Sequence, residues 1–183
     1  LVGSGEERPL PCDKRSAMSV KTYLPENETP PPSQIGATLE ALAVTIAARR
    51  DAGDESYTHR LLAGSPDDVL KKVVEESCEV ALAAKDVESW ATSSLASRLA
   101  FEESLGNDVD EGTMQVELPL EYFQAVDHLR YEAADVVYHL MVVLERYGID
   151  LDEFAAELND RMTEGERPQG GVRLYEEHVR RGK

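Results

Sequence analysis

Apolar residues recur at helical spacing in four stretches of the chain. Ile35, Leu39, Leu42 and Ile46 step by four, three and four, which predicts an amphipathic helix from near Gln34 to Arg49–Gly53. A short polar segment, Asp54 to Arg60, follows. Ser65-Pro-Asp-Asp68 then predicts a strong helix start, with Ser65 at the N-cap, Pro66 at the first helical position and Asp68 reaching back. This second helix is expected to run to about Asp86, with Val69, Val73, Val80 and Ala84 on its apolar side. A third, from about Val126 to Tyr147, places Leu129, Ala133, Val136, Leu140, Val143 and Tyr147 inward and is closed by Gly148. Asp150-Leu-Asp-Glu153 reads as a capping box opening a fourth helix with Phe154, Leu158 and Met162. No strand pattern of any length competes, so the expected fold is all-α.

Between these stretches the pattern fails. Six of the nine prolines fall in the first 32 residues, so residues 1–33 are expected to be a flexible arm. Met18 offers a natural start, so residues 1–17 are expected to be non-native. The domain proper is expected over 34–163, with 164–183 as a C-terminal tail. Residues 87–127 carry nine acidic side chains against one basic residue, Arg98, and read as a surface insertion, with Ser89–Leu105 able to hold a helix and Gly106–Gly112 turn-like.

Charge narrows the function classes. The chain of 183 residues carries 36 Asp and Glu against 19 Lys and Arg, a formal net charge of −17. Such acidity argues against a duplex nucleic-acid binder and against docking on an anionic membrane. No run of 18 apolar residues is present, so no membrane span is expected. Cys12 and Cys78 are too few for a disulfide framework and suit a reducing cytoplasm.

Two acidic doublets carry the chemistry. Glu76 and Glu79 lie three residues apart on the second helix, and Glu132 and Asp135 repeat that spacing on the third. Glu75 adds a carboxylate beside the first pair, Lys72 lies one turn ahead of Glu76, and His139 one turn beyond Asp135. One Glu-x-x-Glu pattern usually marks only a solvated helix face. Carboxylates among Val73, Val74, Val80 and Ala81, and among Ala133, Ala134, Val136 and Val137, are costly unless compensated. If the helices pack antiparallel, four carboxylates converge, and a divalent cation would relieve their repulsion. All-oxygen ligation favours Mg²⁺, with Mn²⁺ as a substitute.

The segments Glu55–Leu62, Leu70–Lys85 and Tyr131–Leu140, with Gly148–Glu153, resemble phosphoribosyl-ATP pyrophosphohydrolases of histidine biosynthesis. The doublets alone are shared with the wider MazG-like all-α nucleotide pyrophosphatases; the Ser-Tyr-Thr segment and the Tyr-Glu-Ala-Ala-Asp-x-x-Tyr-His run narrow the match. The resemblance implies a bundle of four main helices completed by homodimerisation. It implies hydrolysis of phosphoribosyl-ATP between its α and β phosphates, the second step of the pathway. It implies that Glu76, Glu79, Glu132 and Asp135 hold Mg²⁺. Glu75 would serve a second metal or orient the attacking water, Lys72 and Lys85 would face phosphate charge, as would Arg60, and Ser56, Tyr57 and Thr58 would line the substrate site, with His139 beside them. The insertion 87–127 stands where the family has a short connection. The alternatives are a house-cleaning (d)NTP pyrophosphatase of the MazG type and a non-catalytic helical oligomerisation module.

Overall fold

The computed structural model describes residues 33–107 and 114–175; the expected arm up to residue 32, the tip 108–113 and residues 176–183 lie outside the described residues. From Ala37 onward the described chain belongs to one unit. Its elements are helices α1 (Ile35–Ala48), α2 (Tyr57–Ala63), α3 (Pro66–Ser104), α4 (Leu120–Arg146) and α5 (Leu151–Asn159), with a 3₁₀ turn at Arg49–Asp51. No strand occurs among the described residues, and the fold is all-α as expected.

Helix α3 is 39 residues long and continues through the stretch expected to interrupt it. No proline or glycine lies between Pro66 and Gly106, so nothing in the backbone stops the helix. Its serines bond back to the preceding turn, Ser77 Oγ to the Val73 carbonyl at 2.6 Å and Ser94 Oγ to that of Trp90 at 2.7 Å. Gly106 ends it at φ 69°, with Asn107 N donating to Glu102 O and Gly106 N to Glu103 O, a Schellman closure. The same device ends α4, where Gly148 has φ 67° and Ile149 N donates to Leu144 O at 2.9 Å. The expected insertion therefore lengthens both helices of one hairpin.

The caps differ in detail from the expected boxes. Ser65 Oγ accepts from Asp67 N at 3.2 Å, while Asp68 N bonds the Ser65 carbonyl. At α5 no side chain caps the helix; the Asp150 carbonyl accepts from Phe154 N. Helix α2 has seven residues, too few to show a periodic stripe, and is nucleated by Ser56 Oγ accepting from His59 N.

Helices α3 and α4 pack side by side along the hairpin. The buried positions of α3 are Val69, Glu76 and Ala83, and α4 buries Ala125, Glu132 and His139 along the same seam. Both sets repeat every seven residues, the spacing of a coiled-coil seam. Glu76 meets Glu132, and further along α3 Trp90 and Phe101 share a groove with residues 115–120, so the helices run antiparallel. The apolar core lies at the other end of the seam, where Ile46, Leu61, Leu62, Val69, Met141, Val142 and Leu144 pack together with Leu151 and Phe154 against them. Several residues expected inward are exposed, including Ile35, Tyr147 and Leu158.

Arg146, at the end of α4, ties α2 to this core. Its guanidinium donates to the carbonyls of Leu61 (2.8 Å), Leu62 (2.6 Å) and Gly64 (2.7 Å), which α2 leaves without helical partners. Replacing Arg146 with Met strands these carbonyls. Urea unfolding should show a loss of about 1–3 kcal/mol, with helical circular dichroism retained below the transition.

Candidate active site

The seven-residue repeat puts two carboxylates where a helical hairpin normally buries apolar side chains. Glu76 and Glu132 are 4% and 7% exposed, with Glu79 on the open side of the same face. One carboxylate oxygen from each of the three lies within 4.8 Å of the others. Asp135 is half-buried on α4 but lies outside this group. The structure thus brings together three of the four residues expected to share a cation.

Lys72 compensates the most buried charge. Its ammonium lies 2.7 Å from Glu76 Oε1 and 3.2 Å from Glu75 Oε2. The hydrogen bond from Lys72 holds the Glu76 carboxyl below its ordinary range, and the reciprocal bond raises the Lys72 ammonium. Glu79 moves the other way. It shares a hydrogen bond with Glu76 and faces Glu132, so its carboxyl is pushed up and holds a proton more readily than an isolated glutamate. A crowded set of carboxylate oxygens has the donor chemistry of a hard divalent-cation site, and Glu76, Glu79 and Glu132 could hold one.

The wall beside this cluster comes from α2. Tyr57 hydroxyl lies 3.0 Å from His139 Nε2, and His139 Nδ1 donates to the Asp135 carbonyl at 2.9 Å. Nδ1 is also 3.9 Å from Glu76 Oε1, so the buried imidazole links Tyr57 to the carboxylates. Partial burial raises the Tyr57 hydroxyl's pKa and keeps it a donor. Thr58 Oγ1 bonds the Tyr138 hydroxyl at 2.7 Å. Arg60 reaches the Asp54 carbonyl at 2.8 Å and lies 5.8 Å from the centre of the Tyr57 ring. Ser56 serves as the α2 N-cap.

Lys85 is not brought to the cluster. Six residues beyond Glu79 it lies well round the helix, exposed and paired with Glu88. One neighbour was missed in the sequence: His128 Nε2 lies 2.8 Å from Glu132 Oε1. Its four-residue spacing ahead of Glu132 was the available signal. A groove of about 1020 Å³ opens elsewhere, between Trp90, Ser97, Arg98 and Phe101 of α3 and Leu118–Leu120.

The profile of phosphoribosyl-ATP pyrophosphohydrolase matches residues 39–162. The chain belongs to that family. It is 33% identical over 130 residues to the phosphoribosyl-ATP pyrophosphatase of Paracidovorax citrulli, covering 69% of this chain and 71% of the relative. It is 34% identical over 124 residues to the protein of the same name from Limosilactobacillus fermentum, covering 67% of this chain and 82% of the relative. The histidine biosynthesis bifunctional protein HisIE of Synechocystis matches 74% of this chain at 31% identity, over 45% of its own length. No solved structure matches significantly. The family match spans 87–127, so the lengthened hairpin lies inside the family domain.

Without added cation, the two halves of the cluster have opposite effects on stability. Glu76's lowered pKa means its ion pair stabilises the fold above the ordinary glutamate range and is lost as pH falls through the folded value. Glu79's raised pKa means its ionisation costs stability as pH rises through the folded value. In EDTA at pH 7, Glu79→Gln should therefore raise the melting temperature and Lys72→Met should lower it. Thermal scans of the two variants against the parent check both signs.

Proposed function

We infer that this chain hydrolyses phosphoribosyl-ATP between its α and β phosphates, giving phosphoribosyl-AMP and pyrophosphate in histidine biosynthesis. The observation that carries the reading is the cluster of three carboxylates across the α3–α4 seam, in a chain belonging to this family. The relatives' names support the substrate, and the free-nucleotide and non-catalytic readings are not favoured.

The reading assigns Glu76, Glu79 and Glu132 to Mg²⁺, or Mn²⁺ in its place, with Asp135 completing the set from the next turn of α4. When bound, the cation neutralises phosphate oxygens and polarises an attacking water. The chain's own residues do the rest. Lys72, fixed by Glu76 and Glu75, presents a positive charge at the rim of the cluster. Glu75 is 45% exposed at its side chain and stands beside that ammonium, where it can orient water. Tyr57 and Thr58, held by His139 and Tyr138, present a preorganised polar wall to the substrate. In-line displacement on a phosphoanhydride needs this positioning and charge balance more than covalent catalysis.

The reading includes a homodimer in the cytoplasm. Val44, Val74, Leu82 and Tyr131 are each more than 60% exposed, apolar surface that a second copy of the chain would cover. Among the described residues no helix is long and apolar enough to cross a membrane.

A coupled assay for pyrophosphate with phosphoribosyl-ATP tests the activity. Mg²⁺-dependent release is expected, with ATP and dNTPs turned over at least 100-fold more slowly, and Glu76→Gln should lower kcat by about 10³-fold or more. Full activity in Glu76→Gln would remove the site. Light scattering should give twice the mass of one chain.

A further inference from the structure

The polar wall on α2 has a hydrogen-bond polarity that its partners fix. His139 is buried and makes two hydrogen bonds, one through each ring nitrogen. Nδ1 lies 2.9 Å from the Asp135 backbone carbonyl, and a carbonyl oxygen can only accept. Nδ1 therefore carries a hydrogen. Glu76 Oε1, 3.9 Å from the same nitrogen, is an acceptor too and favours the same assignment. In the neutral imidazole this leaves Nε2 with a lone pair and no hydrogen.

The Tyr57 hydroxyl, 3.0 Å from Nε2, must then donate to it. A phenol has one hydrogen to give, and it is spent here. Burial raises the hydroxyl's pKa, so that hydrogen stays in place. What the oxygen still offers is lone pairs, and among the described residues no other group is hydrogen-bonded to it. Tyr57 is 44% exposed, and Lys72, Glu75 and Glu76 all act on its hydroxyl electrostatically, so it stands open beside the carboxylates. An open acceptor discriminates between the two ends of a nucleotide. Ionised phosphates present acceptors only and are repelled by a lone pair, whereas ribose hydroxyls and base N–H groups can donate to it.

We propose that Tyr57 reads the nucleoside half of the substrate as a hydrogen-bond acceptor, taking a ribose hydroxyl or a base N–H, and turns the phosphates away from α2 toward Lys72 and the carboxylates. His139 is the positioning residue that enforces this polarity through its tautomer. The inference rests on the hydrolase reading of the site and adds the substrate's orientation within it.

Two measurements on the full chain test it. Long-range ¹H–¹⁵N correlation of histidine-labelled protein at about pH 8, where an ordinary imidazole is neutral, reads the tautomer, with the His139 signals assigned by their absence from His139→Gln. Nδ1–H with a bare Nε2 is expected, and a hydrogen on Nε2 overturns the proposal. Steady-state kinetics with Mg²⁺ then compare the parent and Tyr57→Phe on phosphoribosyl-ATP and on analogues that each lack one donor. These are the 2′- and 3′-deoxy forms of each ribose and the form with oxygen replacing the exocyclic nitrogen. One analogue should lose about 3- to 10-fold in kcat/KM with the parent. Tyr57→Phe should lose a similar factor on the unmodified substrate and no longer discriminate against that analogue. A merely structural role would lower every substrate alike. Equal losses across the series, or parent-like kinetics in Tyr57→Phe, overturn the proposal and leave the hydrolase reading intact. A parent that releases no pyrophosphate from phosphoribosyl-ATP overturns both.

Discussion

The placement of carboxylates at buried positions of a helical hairpin seam governs the rest of this structure. Glu76 and Glu132 occupy positions that Val69, Ala83 and Ala125 occupy one repeat away. A seam of this spacing draws its stability from apolar contact, so each carboxylate forfeits that contribution and adds a desolvation cost. The compensation is uneven. Lys72 and, at 3.9 Å, His139 serve Glu76, and His128 serves Glu132, while Glu79 faces its own kind. The apolar core has correspondingly been displaced to the end of the hairpin, where α1, α2 and α5 close over Val69 and Val142. The polar part of the seam is thus carried by the packing of the remainder.

That division explains the short helix α2. Arg146 binds the carbonyls of Leu61, Leu62 and Gly64, and these residues in turn belong to the core or border it. The N-terminal turn of α2 is thereby fixed against α4, and Tyr57 and Thr58 meet His139 and Tyr138 across 82 and 80 residues of sequence. A polar wall anchored to the same helix that carries Glu132 moves with it. Rigid positioning of this kind is what a displacement at phosphorus requires.

The seam was legible in the sequence only in part. The doublets Glu76/Glu79 and Glu132/Asp135 stood out because carboxylates three apart in apolar helices are conspicuous. Three-residue spacing does not say which member faces the partner helix, so Asp135's distance from the group was hidden. The seven-residue repeat was legible in principle, but two of its positions in α3 and α4 are the acids themselves, which a hydrophobic pattern skips. The far half of α3 looks like an interruption in the sequence because its serines and alanines carry no stripe, although the absence of a breaker before Gly106 permits one continuous helix. Helix α2 and the Tyr57–His139 and Thr58–Tyr138 pairs depend on long-range closure, which local spacing cannot encode. Lys85 was carried over with its segment, and its position round the helix from Glu79 separates it from the cluster.

The chain's acidity can be reconciled with a polyphosphate substrate by where the charges sit. Among the described residues, Glu102, Glu103, Glu117 and Glu121 sit at the far end of the hairpin, around the groove at Trp90 and Phe101, away from the carboxylate cluster. Within the cluster, Lys72 is already engaged by two carboxylates, so it cannot by itself offset three or more negative groups and an incoming triphosphate. Attraction at long range is therefore weak, and recognition must be made at contact distance, where the charge introduced between carboxylate and phosphate decides the balance. On the proposed reading the cation would offset the carboxylates and so make the site tolerable for the phosphates, and by linkage the substrate would tighten cation binding. The buried acids of the seam, which cost the fold stability, would be the source of that coupling.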